Sequence, residues 1–198
     1  MNETIKYYNQ NAEEFVSGTV NADMALTRDR FLKWLPNGAS ILDAGCGSGR
    51  DARVFKDKGY IVDAFDASEE LCRLAHEYTG IDVKCIRFED LEGEGFYDGI
   101  WACASLLHVK RDDLPGVLHK LHLLLRKNGV IYASFKYGQT ERFTQGRYFN
   151  DMDEQLLEAL LSKEDLKILD LFVTRDVRPG RSSERWINVI VKDVVVPV

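Results

Sequence analysis

The chain has 198 residues, of which 45% are hydrophobic and 29% are charged, and its formal net charge is -6. This length suits a single folded domain that buries roughly 70% of the surface exposed by the unfolded chain. The ordinary composition, without internal repeats or low-complexity segments, argues against a disordered or solenoid protein. The negative charge argues against nucleic-acid binding over the whole surface, but it allows a local basic patch.

Four cysteines lie at positions 46, 72, 85 and 103 and form no Cys-x-x-Cys pair. This spacing favours reduced thiols over disulfides or a zinc site. The first residues show no basic segment followed by an apolar stretch, and no apolar run approaches the roughly 18 residues that a membrane span needs. We therefore predict a cytoplasmic protein that is neither exported nor inserted into a membrane.

Two amphipathic helices are predicted before the first strand. Apolar residues recur at spacings of three or four over residues 5–16, and a second helix is expected over 22–35. A Pro-Asn-Gly turn at 36–38 then leads into the sheet. We expect a single domain in which residues 1–37 form a helical flap on a core of residues 38–198.

The core alternates short apolar strands with helices. Strands are predicted at 41–44, 60–65, 82–88, 97–103, 130–135, 168–174 and 186–191, helices at 50–58, 69–78, 112–126 and 154–161, and a polar loop at 136–150. Ser68 and Gly80 are expected to cap the second of these helices. The alternation predicts an α/β protein with a mainly parallel seven-stranded sheet, helices on both faces and an antiparallel C-terminal hairpin at one edge.

A glycine-rich loop over residues 43–49, Asp-Ala-Gly-Cys-Gly-Ser-Gly, follows the first strand. Alternating glycines allow backbone amides to approach a ligand and allow the next helix to begin close to the strand. The dinucleotide fingerprint needs Gly-x-Gly-x-x-Gly, whereas the third glycine here comes one residue early, at Gly49. The loop therefore predicts a ligand site of another kind, with a simple turn as the alternative.

Several chemically distinctive residues follow the predicted strands. The glycine loop, Asp66, Phe88, the region of Cys103 and Tyr137 all come at strand ends. The carboxyl ends of parallel strands meet at one edge of a sheet, and this is where open α/β sheets bind their ligands. We therefore expect these residues to surround one cleft.

These motifs resemble a class I methyltransferase dependent on S-adenosylmethionine, of the small Rossmann-like type with a seven-stranded sheet. Residues 43–49 fit its first motif, Asp/Glu-x-Gly-x-Gly-x-Gly, and Asp66 fits the acidic residue that accepts hydrogen bonds from both ribose hydroxyls. The resemblance implies S-adenosylmethionine as the cofactor. The residues that it places at the cofactor are Tyr8, Asp43, Gly45, Cys46, Gly47, Gly49, Asp66, Ala67, Phe88, Glu89, Ala102 and Cys103.

Four positions carry their own alternatives. For Asp66 the alternative is a helix cap or a turn residue. Arg87 stands where the family usually has an acidic residue, so Phe88 or Glu89 is expected to meet the adenine, unless this is a surface turn. Tyr8 resembles the aromatic residue of an N-terminal helix that closes over the cofactor, and a core aromatic is the alternative. The resemblance points His108 towards the substrate, where a pKa near 6.5 would suit a general base, and a hydrogen bond within its loop is the alternative.

Arginines and aromatic residues gather in the two late loops. Those predicted to bind the methyl acceptor are Tyr137, Arg142, Arg147 and Arg178. Arginines suit a small anionic acceptor, and solvated loops with local ion pairs are the alternative. An RNA methyltransferase that stacks bases on these aromatics is a further hypothesis, as is a cofactor-binding module without catalysis.

No metal site is predicted. His119 and His122 have helical spacing but no cysteine or acidic partner near them in the sequence. A dinucleotide-dependent oxidoreductase is disfavoured by the glycine spacing. We thus predict methyl transfer to a small molecule by a monomer or homodimer.

Overall fold

The computed structural model describes residues 3–193, so residues 1–2 of the predicted flap and 194–198 of the predicted core lie outside the described residues. The strands are β1 (Ser40–Ala44), β2 (Ile61–Asp66), β3 (Val83–Cys85), β4 (Tyr97–Ala102), β5 (Leu125–Lys136), β6 (Glu141–Thr144), β7 (Arg147–Asn150), β8 (Leu166–Arg175) and β9 (Arg185–Asp193). A seven-stranded sheet has the order β3-β2-β1-β4-β5-β9-β8. Its first five strands are parallel and β9 pairs antiparallel with both β5 and β8, which confirms the predicted fold class.

The helices are α1 (Glu3–Gln10), α2 (Ala12–Thr19), α3 (Ala25–Leu32), α4 (Arg50–Asp57), α5 (Glu69–Thr79), α6 (Leu114–Leu124) and α7 (Glu154–Leu161). Ser68 caps α5 as predicted, because its hydroxyl oxygen accepts the N–H of Leu71 at 3.3 Å. Gly80 ends α5 in the left-handed conformation. Among the helices of residues 3–193, none has the length and apolar character of a membrane-spanning segment.

The single helix predicted over 5–16 is divided into α1 and α2. Asn11, between them, has φ -122° and ψ 22° and so leaves the helical conformation. Its side-chain amide donates to the Tyr7 carbonyl at 2.8 Å. Asparagine side chains compete in this way with the backbone hydrogen bonds of a helix, which explains why the periodic pattern does not produce one continuous helix.

The polar loop predicted over 136–150 contains an antiparallel hairpin, β6 and β7. Gln145 and Gly146 connect its strands with φ values of 50° and 75°. Two successive positive φ angles are typical of the tight turns that match the twist of a hairpin. The hairpin packs against α1, so it forms part of the roof over the carboxyl ends of the sheet.

Two further predicted boundaries differ from the structure. The strand predicted over 82–88 covers only Val83–Cys85, because a 3-10 turn follows at Phe88–Asp90. The strand predicted over 130–135 is longer, Leu125–Lys136, and includes Asn128, which has φ 67° and lies where the pairing with β4 shifts its register. Strand β3 is therefore a short edge strand, and β5 spans the middle of the sheet.

Helix α3 of the flap belongs to the hydrophobic core. Phe31 is fully buried, and its ring lies 5.3 Å from Trp101, 6.1 Å from Phe55 and 6.5 Å from Tyr132, measured between centroids. Helix α6 covers the opposite face with an apolar stripe, which is buried. The flap is thus divided: α3 stabilises the sheet, while α1 and α2 cover its carboxyl end.

Replacement of Phe31 by alanine tests whether α3 is part of the core. We expect Phe31→Ala to lower the free energy of unfolding by about 3 to 5 kcal/mol, as is usual for a large buried aromatic residue. Leu26→Ala is the matched control in the same helix, because Leu26 is 84% exposed. Urea denaturation measures both variants, and equal effects would show that α3 is held only loosely.

Candidate active site

A cleft of about 1680 Å³ opens at the carboxyl ends of β1, β2, β4 and β5. Single-ligand pockets commonly measure roughly 300 to 1000 Å³, so this cleft has room for two molecules. Residues of α1, α2 and the β6–β7 hairpin line it together with residues from the strand ends. The expectation that the sequence motifs surround one cleft is therefore met for most of them.

The glycine loop forms the floor of the cleft. The N–H groups of Gly45 and Cys46 both donate to the Phe65 carbonyl, at 3.0 and 2.9 Å. Gly45 has φ 75°, and a Cβ atom built there would lie 2.5 Å from Cβ of Ser105. Because a side chain does not fit, the backbone itself lies against the cleft, as a cofactor cradle requires.

Asp43 supports this loop from below. Its Oδ2 atom accepts the N–H of Ala52 at 3.0 Å, near the start of α4. Burial, together with the nearby charge of Asp51, raises the pKa of Asp43 well above its ordinary value. Asp43 therefore fixes the position of the loop relative to α4.

Asp66 joins the glycine loop to the end of β2. Its Oδ2 atom accepts the N–H of Gly47 at 2.9 Å, and its Oδ1 atom accepts the N–H of Ser68 at 3.0 Å. Burial raises the pKa of Asp66, although backbone N–H groups oppose the shift. An ionised carboxylate offers about four acceptor positions, so two remain for the hydroxyls of a ribose.

An apolar wall lies beyond Asp66. The ring of Phe88 lines the cleft and packs edge-to-face on Phe65, with 5.1 Å between centroids. Lys120 donates from Nζ to the carbonyl of Glu89 at 2.7 Å and thereby holds the 3-10 turn in place. This wall offers a flat aromatic base a surface for packing.

Three residues predicted at the site do not line the cleft. Gly49 packs against α5 instead, where a Cβ atom would lie 2.7 Å from Cγ2 of Thr79. Ala102 is fully buried inside β4. Tyr137 donates from its hydroxyl to Glu154 at 2.9 Å, so the structure does not bring it to the predicted substrate site.

A buried charge network beneath the cleft was missed by sequence reasoning. Asp51 accepts hydrogen bonds from Arg28 and Arg50, both at 2.6 Å, and from the indole N–H of Trp101 at 2.9 Å. Burial opposes the ionisation of Asp51, but Arg50 and Arg28 together hold its pKa below its ordinary value. In the sequence, Asp51 is recognisable only as an acidic residue in the first turn of α4. Such a residue is equally common at a solvated helix end, so it does not predict a buried network.

Tyr8 and His108 meet in the roof of the cleft. The Tyr8 hydroxyl lies 2.8 Å from Nε2 of His108, and Nδ1 of His108 lies 2.6 Å from the carbonyl oxygen of Tyr148. Burial lowers the pKa of His108 to about 4, the charge of Arg147 adds to this effect, and the bond to Tyr148 opposes it. His108 is therefore a neutral imidazole at physiological pH.

Arg142 and Arg178 line the cleft but are paired with carboxylates. Arg142 makes two hydrogen bonds to Asp151, both of 2.9 Å. Arg178 binds Asp176 through Nε at 2.9 Å and Nη2 at 2.5 Å. Burial opposes the ionisation of Asp176, yet Arg178 holds its pKa well below the ordinary value. These two arginines therefore have little charge left for a ligand.

Arg147 differs from both. It forms no ion pair within residues 3–193. Its Nη2 atom donates to the uncharged side-chain oxygen of Gln145 at 3.2 Å, and its buried Nε atom is without a hydrogen-bond partner in that range. Its guanidinium carbon lies 4.4 Å from the ring centroid of Tyr7 and 5.3 Å from that of Phe149. Arg147 is thus an uncompensated cation held between aromatic rings in the wall of the cleft.

His119 and His122 lie outside the cleft, on α6. Both contact Oε2 of Glu164, at 3.2 and 3.4 Å, and His122 also contacts Asp193 at 2.8 Å. Their acidic partners thus come from distant parts of the chain. Within the described part of the chain, no cluster of His, Cys, Asp and Glu has an arrangement that could hold a metal ion.

The strand order, the glycine loop at the end of β1 and Asp66 at the end of β2 together define the site of a class I methyltransferase. A solved methyltransferase of Burkholderia thailandensis, with bound 1,6-didemethyltoxoflavin and S-adenosylhomocysteine, has the same fold, with a TM-score of 0.77 and 23% identity over 96% of this chain and 85% of that one. Residues 16–169 match the family described as a methyltransferase domain. The chain therefore belongs to this family, and its cofactor is S-adenosylmethionine.

Two curated relatives have higher sequence identity. An uncharacterized methyltransferase of Staphylococcus carnosus is 26% identical over 145 residues, which cover 68% of this chain and 70% of the relative. A malonyl-[acyl-carrier protein] O-methyltransferase of Pectobacterium atrosepticum is 33% identical over 124 residues, or 59% of this chain. The chain matches only 47% of that second relative, about half its length.

Asp66→Asn tests the proposed ribose contact. An asparagine keeps one oxygen acceptor but turns an NH2 group towards backbone donors, so we expect the Kd for S-adenosylhomocysteine to rise about 10- to 100-fold. Isothermal titration calorimetry measures this change. Asp63→Asn is the matched control, because Asp63 lies on the same strand and accepts from Tyr97 outside the cleft. Equal affinities of the two variants would show that Asp66 does not bind the cofactor.

The depressed pKa of His108 predicts a pH-dependent stability. An unfolded histidine takes up its proton near pH 6.5 and the folded protein only near pH 4, so the unfolded state binds more protons between these values. Stability is therefore lost as the pH falls through this window. His108→Asn keeps a donor towards Tyr148 without titrating. In urea denaturation, we expect the wild type to lose stability relative to this variant between about pH 6.5 and pH 4, and a constant difference would contradict the assignment.

Proposed function

We propose that the protein transfers a methyl group from S-adenosylmethionine to a small acceptor that carries a carboxylate or phosphate group. The observation that carries this proposal is Arg147 in the wall of the cleft, which has no carboxylate partner within residues 3–193 and a buried Nε atom without a hydrogen bond there. The volume of the cleft supports it, since the cofactor alone does not account for about 1680 Å³.

The cofactor brings its own activation, because a methyl group on a sulfonium is already a good electrophile. The protein therefore has to position the acceptor and exclude water. The glycine loop, Asp66 and Phe88 are the residues that we propose to hold the cofactor, together with the other predicted residues that line the cleft. Phe15 of α2 and Tyr8 of α1 pack together above the loop, with ring centroids 5.1 Å apart, and shield this region from solvent.

Arg147 supports an anionic acceptor for an energetic reason. The neighbours that hydrogen-bond Arg147 are uncharged, and its buried Nε atom has no partner within residues 3–193, so a bound carboxylate or phosphate would supply both the missing hydrogen bond and the missing negative charge. The planar fork of arginine matches both anions. The aromatic rings of Tyr7 and Phe149 leave its edge as the polar side available to a ligand.

The same geometry argues against the RNA hypothesis. Arg142 and Arg178, which would contact phosphates, are each neutralised by two hydrogen bonds to a carboxylate. A chain with a net charge of -6 offers little further attraction to a polyanion. His108 remains our proposed proton acceptor, since it lines the same cleft as Arg147. Its pKa of about 4, below the value near 6.5 expected from the sequence, makes it a weak base, so the proton moves to it only as the acceptor bonds to the methyl carbon and becomes more acidic.

A matched acceptor panel tests the proposal. Carboxylates are paired with their amides, and phosphate monoesters with their free alcohols, and the release of S-adenosylhomocysteine is measured for each compound. We expect turnover with one class of anion and little with its neutral counterpart. Equal use of anionic and neutral compounds would contradict the proposal. A steep loss of acceptor binding between low and physiological salt would instead favour a nucleic acid.

Arg147→Met tests the anion contact itself. We expect KM for the anionic acceptor to rise about 10- to 100-fold, because a charge-assisted hydrogen bond is lost, while the Kd for S-adenosylhomocysteine stays unchanged. Arg185→Met is the control, since Arg185 is exposed and packs on Tyr137 at 4.1 Å outside the cleft. Loss of affinity for S-adenosylhomocysteine in Arg147→Met would assign the guanidinium to the cofactor and refute the acceptor contact.

A further inference from the structure

The hydrogen bonds of His108 determine where its proton lies. Nδ1 is 2.6 Å from the carbonyl oxygen of Tyr148, and a carbonyl can only accept, so Nδ1 carries the hydrogen. In the neutral imidazole, Nε2 is then the acceptor. Tyr8, whose hydroxyl lies 2.8 Å from Nε2, must therefore donate its proton to His108.

The hydrogen bond from Tyr8 to His108 decides which atom can act as the base of the reaction. The lone pair of Nε2 is directed at the Tyr8 hydroxyl, so an acceptor in the cleft does not reach it directly. The Tyr8 oxygen keeps two lone pairs after donating its single proton. Arg147 donates to one of them, so the other is available to an acceptor in the cleft that Tyr8 lines. The basic atom presented to an acceptor is thus the hydroxyl oxygen of Tyr8.

The charges around this pair favour the neutral form of both groups. Arg147 faces His108 and disfavours an imidazolium. Burial raises the pKa of Tyr8, and the charge of Asp66 acts in the same direction while that of Arg147 opposes it. The resting state is therefore a neutral phenol that donates to a neutral imidazole, with both protons in defined places.

Contacts of the Tyr8 ring and of helix α1 also restrain the position of the Tyr8 hydroxyl. Its ring packs edge-to-face against Phe15, with centroids 5.1 Å apart. Helix α1 is tied down on either side of it: Ser68 donates from its hydroxyl to Oδ1 of Asn9 at 2.6 Å, and the N–H of Tyr148 donates to Oγ1 of Thr4 at 3.0 Å. The hydroxyl is thus held where a proton relay needs it.

We propose that Tyr8 is a catalytic residue that passes a proton from the acceptor to Nε2 of His108. This inference rests on the proposed methyl transfer. The acceptor atom forms a bond to the methyl carbon, the bond between that carbon and sulfur breaks, and its electron pair remains on sulfur. The proton of the acceptor moves to the Tyr8 oxygen as the proton of Tyr8 moves to Nε2. The imidazolium then releases its proton to solvent, and the resting pair is restored.

The relay narrows the class of acceptor. A carboxylate or phosphate oxygen has no proton to release at neutral pH, so a relay is of use only for an O–H or N–H group. The anion that contacts Arg147 and the atom that receives the methyl group must then be different groups of one molecule. The structure thus points to an acceptor with a hydroxyl or amine and a separate anionic group.

Kinetics of Tyr8→Phe test the relay, because this variant keeps the ring and removes only the hydroxyl. With the best acceptor of the panel, we expect kcat to fall about 100-fold or more, the usual size of general-base effects. The Kd for S-adenosylhomocysteine should change less than about threefold, because the ring that covers the cofactor is retained. Tyr78→Phe is the control, because Tyr78 is 42% exposed and lies outside the cleft. We expect kcat of His108→Asn to fall by a similar factor. The kcat of the double variant should be no lower than that of either single variant, since the two groups act as a unit. Unchanged kcat in Tyr8→Phe would overturn the proposal.

A second experiment needs no acceptor and is therefore independent of the proposed function. Long-range proton–nitrogen NMR correlation of nitrogen-15-labelled protein reports which nitrogen of His108 carries hydrogen. We expect the proton on Nδ1 near neutral pH, and a shift of the Nε2 resonance alone in Tyr8→Phe. A proton on Nε2 would reverse the direction of the relay and overturn it, even if methyl transfer to an anionic acceptor is established.

Discussion

The carboxylate of Asp51 connects three parts of the protein on which the site depends. It binds Arg28 of α3, Arg50 at the start of α4, and Trp101 of β4. A buried carboxylate is costly unless it is fully paired, and the removal of one partner from such a network commonly costs about 3 to 5 kcal/mol. The glycine loop leads directly into Arg50, so the same network that anchors the flap also holds the cofactor loop in place.

The roof of the cleft depends on different interactions. Helix α1 and the β6–β7 hairpin meet above the strand ends, where Tyr8 bonds to His108 and Thr4 accepts from the backbone of Tyr148. Few apolar residues of α1 are buried, so polar contacts hold this roof more than the core does. Regions held in this way open at lower free energy than the core, which suits an element that has to admit two ligands. The flap therefore combines a fixed helix, α3, with a cover that is less firmly anchored.

Charge compensation distinguishes the arginines of the acceptor region. Arg142 and Arg178 each have a carboxylate close by in the chain, Asp151 across the hairpin and Asp176 two residues earlier. Arg147 has no carboxylate partner within residues 3–193, and its aromatic neighbours hold it without neutralising its charge. A group of arginines that looks uniform in the sequence thus contains one residue without a carboxylate partner in residues 3–193, the one that we propose binds the anion of the acceptor, while Arg142 and Arg178 stabilise the loops.

Periodicity and short spacings within one segment were enough to predict the order of strands and helices along the chain, the glycine loop and Asp66. It missed the β6–β7 hairpin, although Gln145 and Gly146 stand between alternating residues. The fold alone shows that Tyr8 meets His108, 100 residues away, and that Arg147 has no carboxylate partner within residues 3–193, while Tyr137 turns to Glu154. The physical reason is that hydrogen bonding and charge pairing depend on distances across the fold, which residue type and local spacing do not specify.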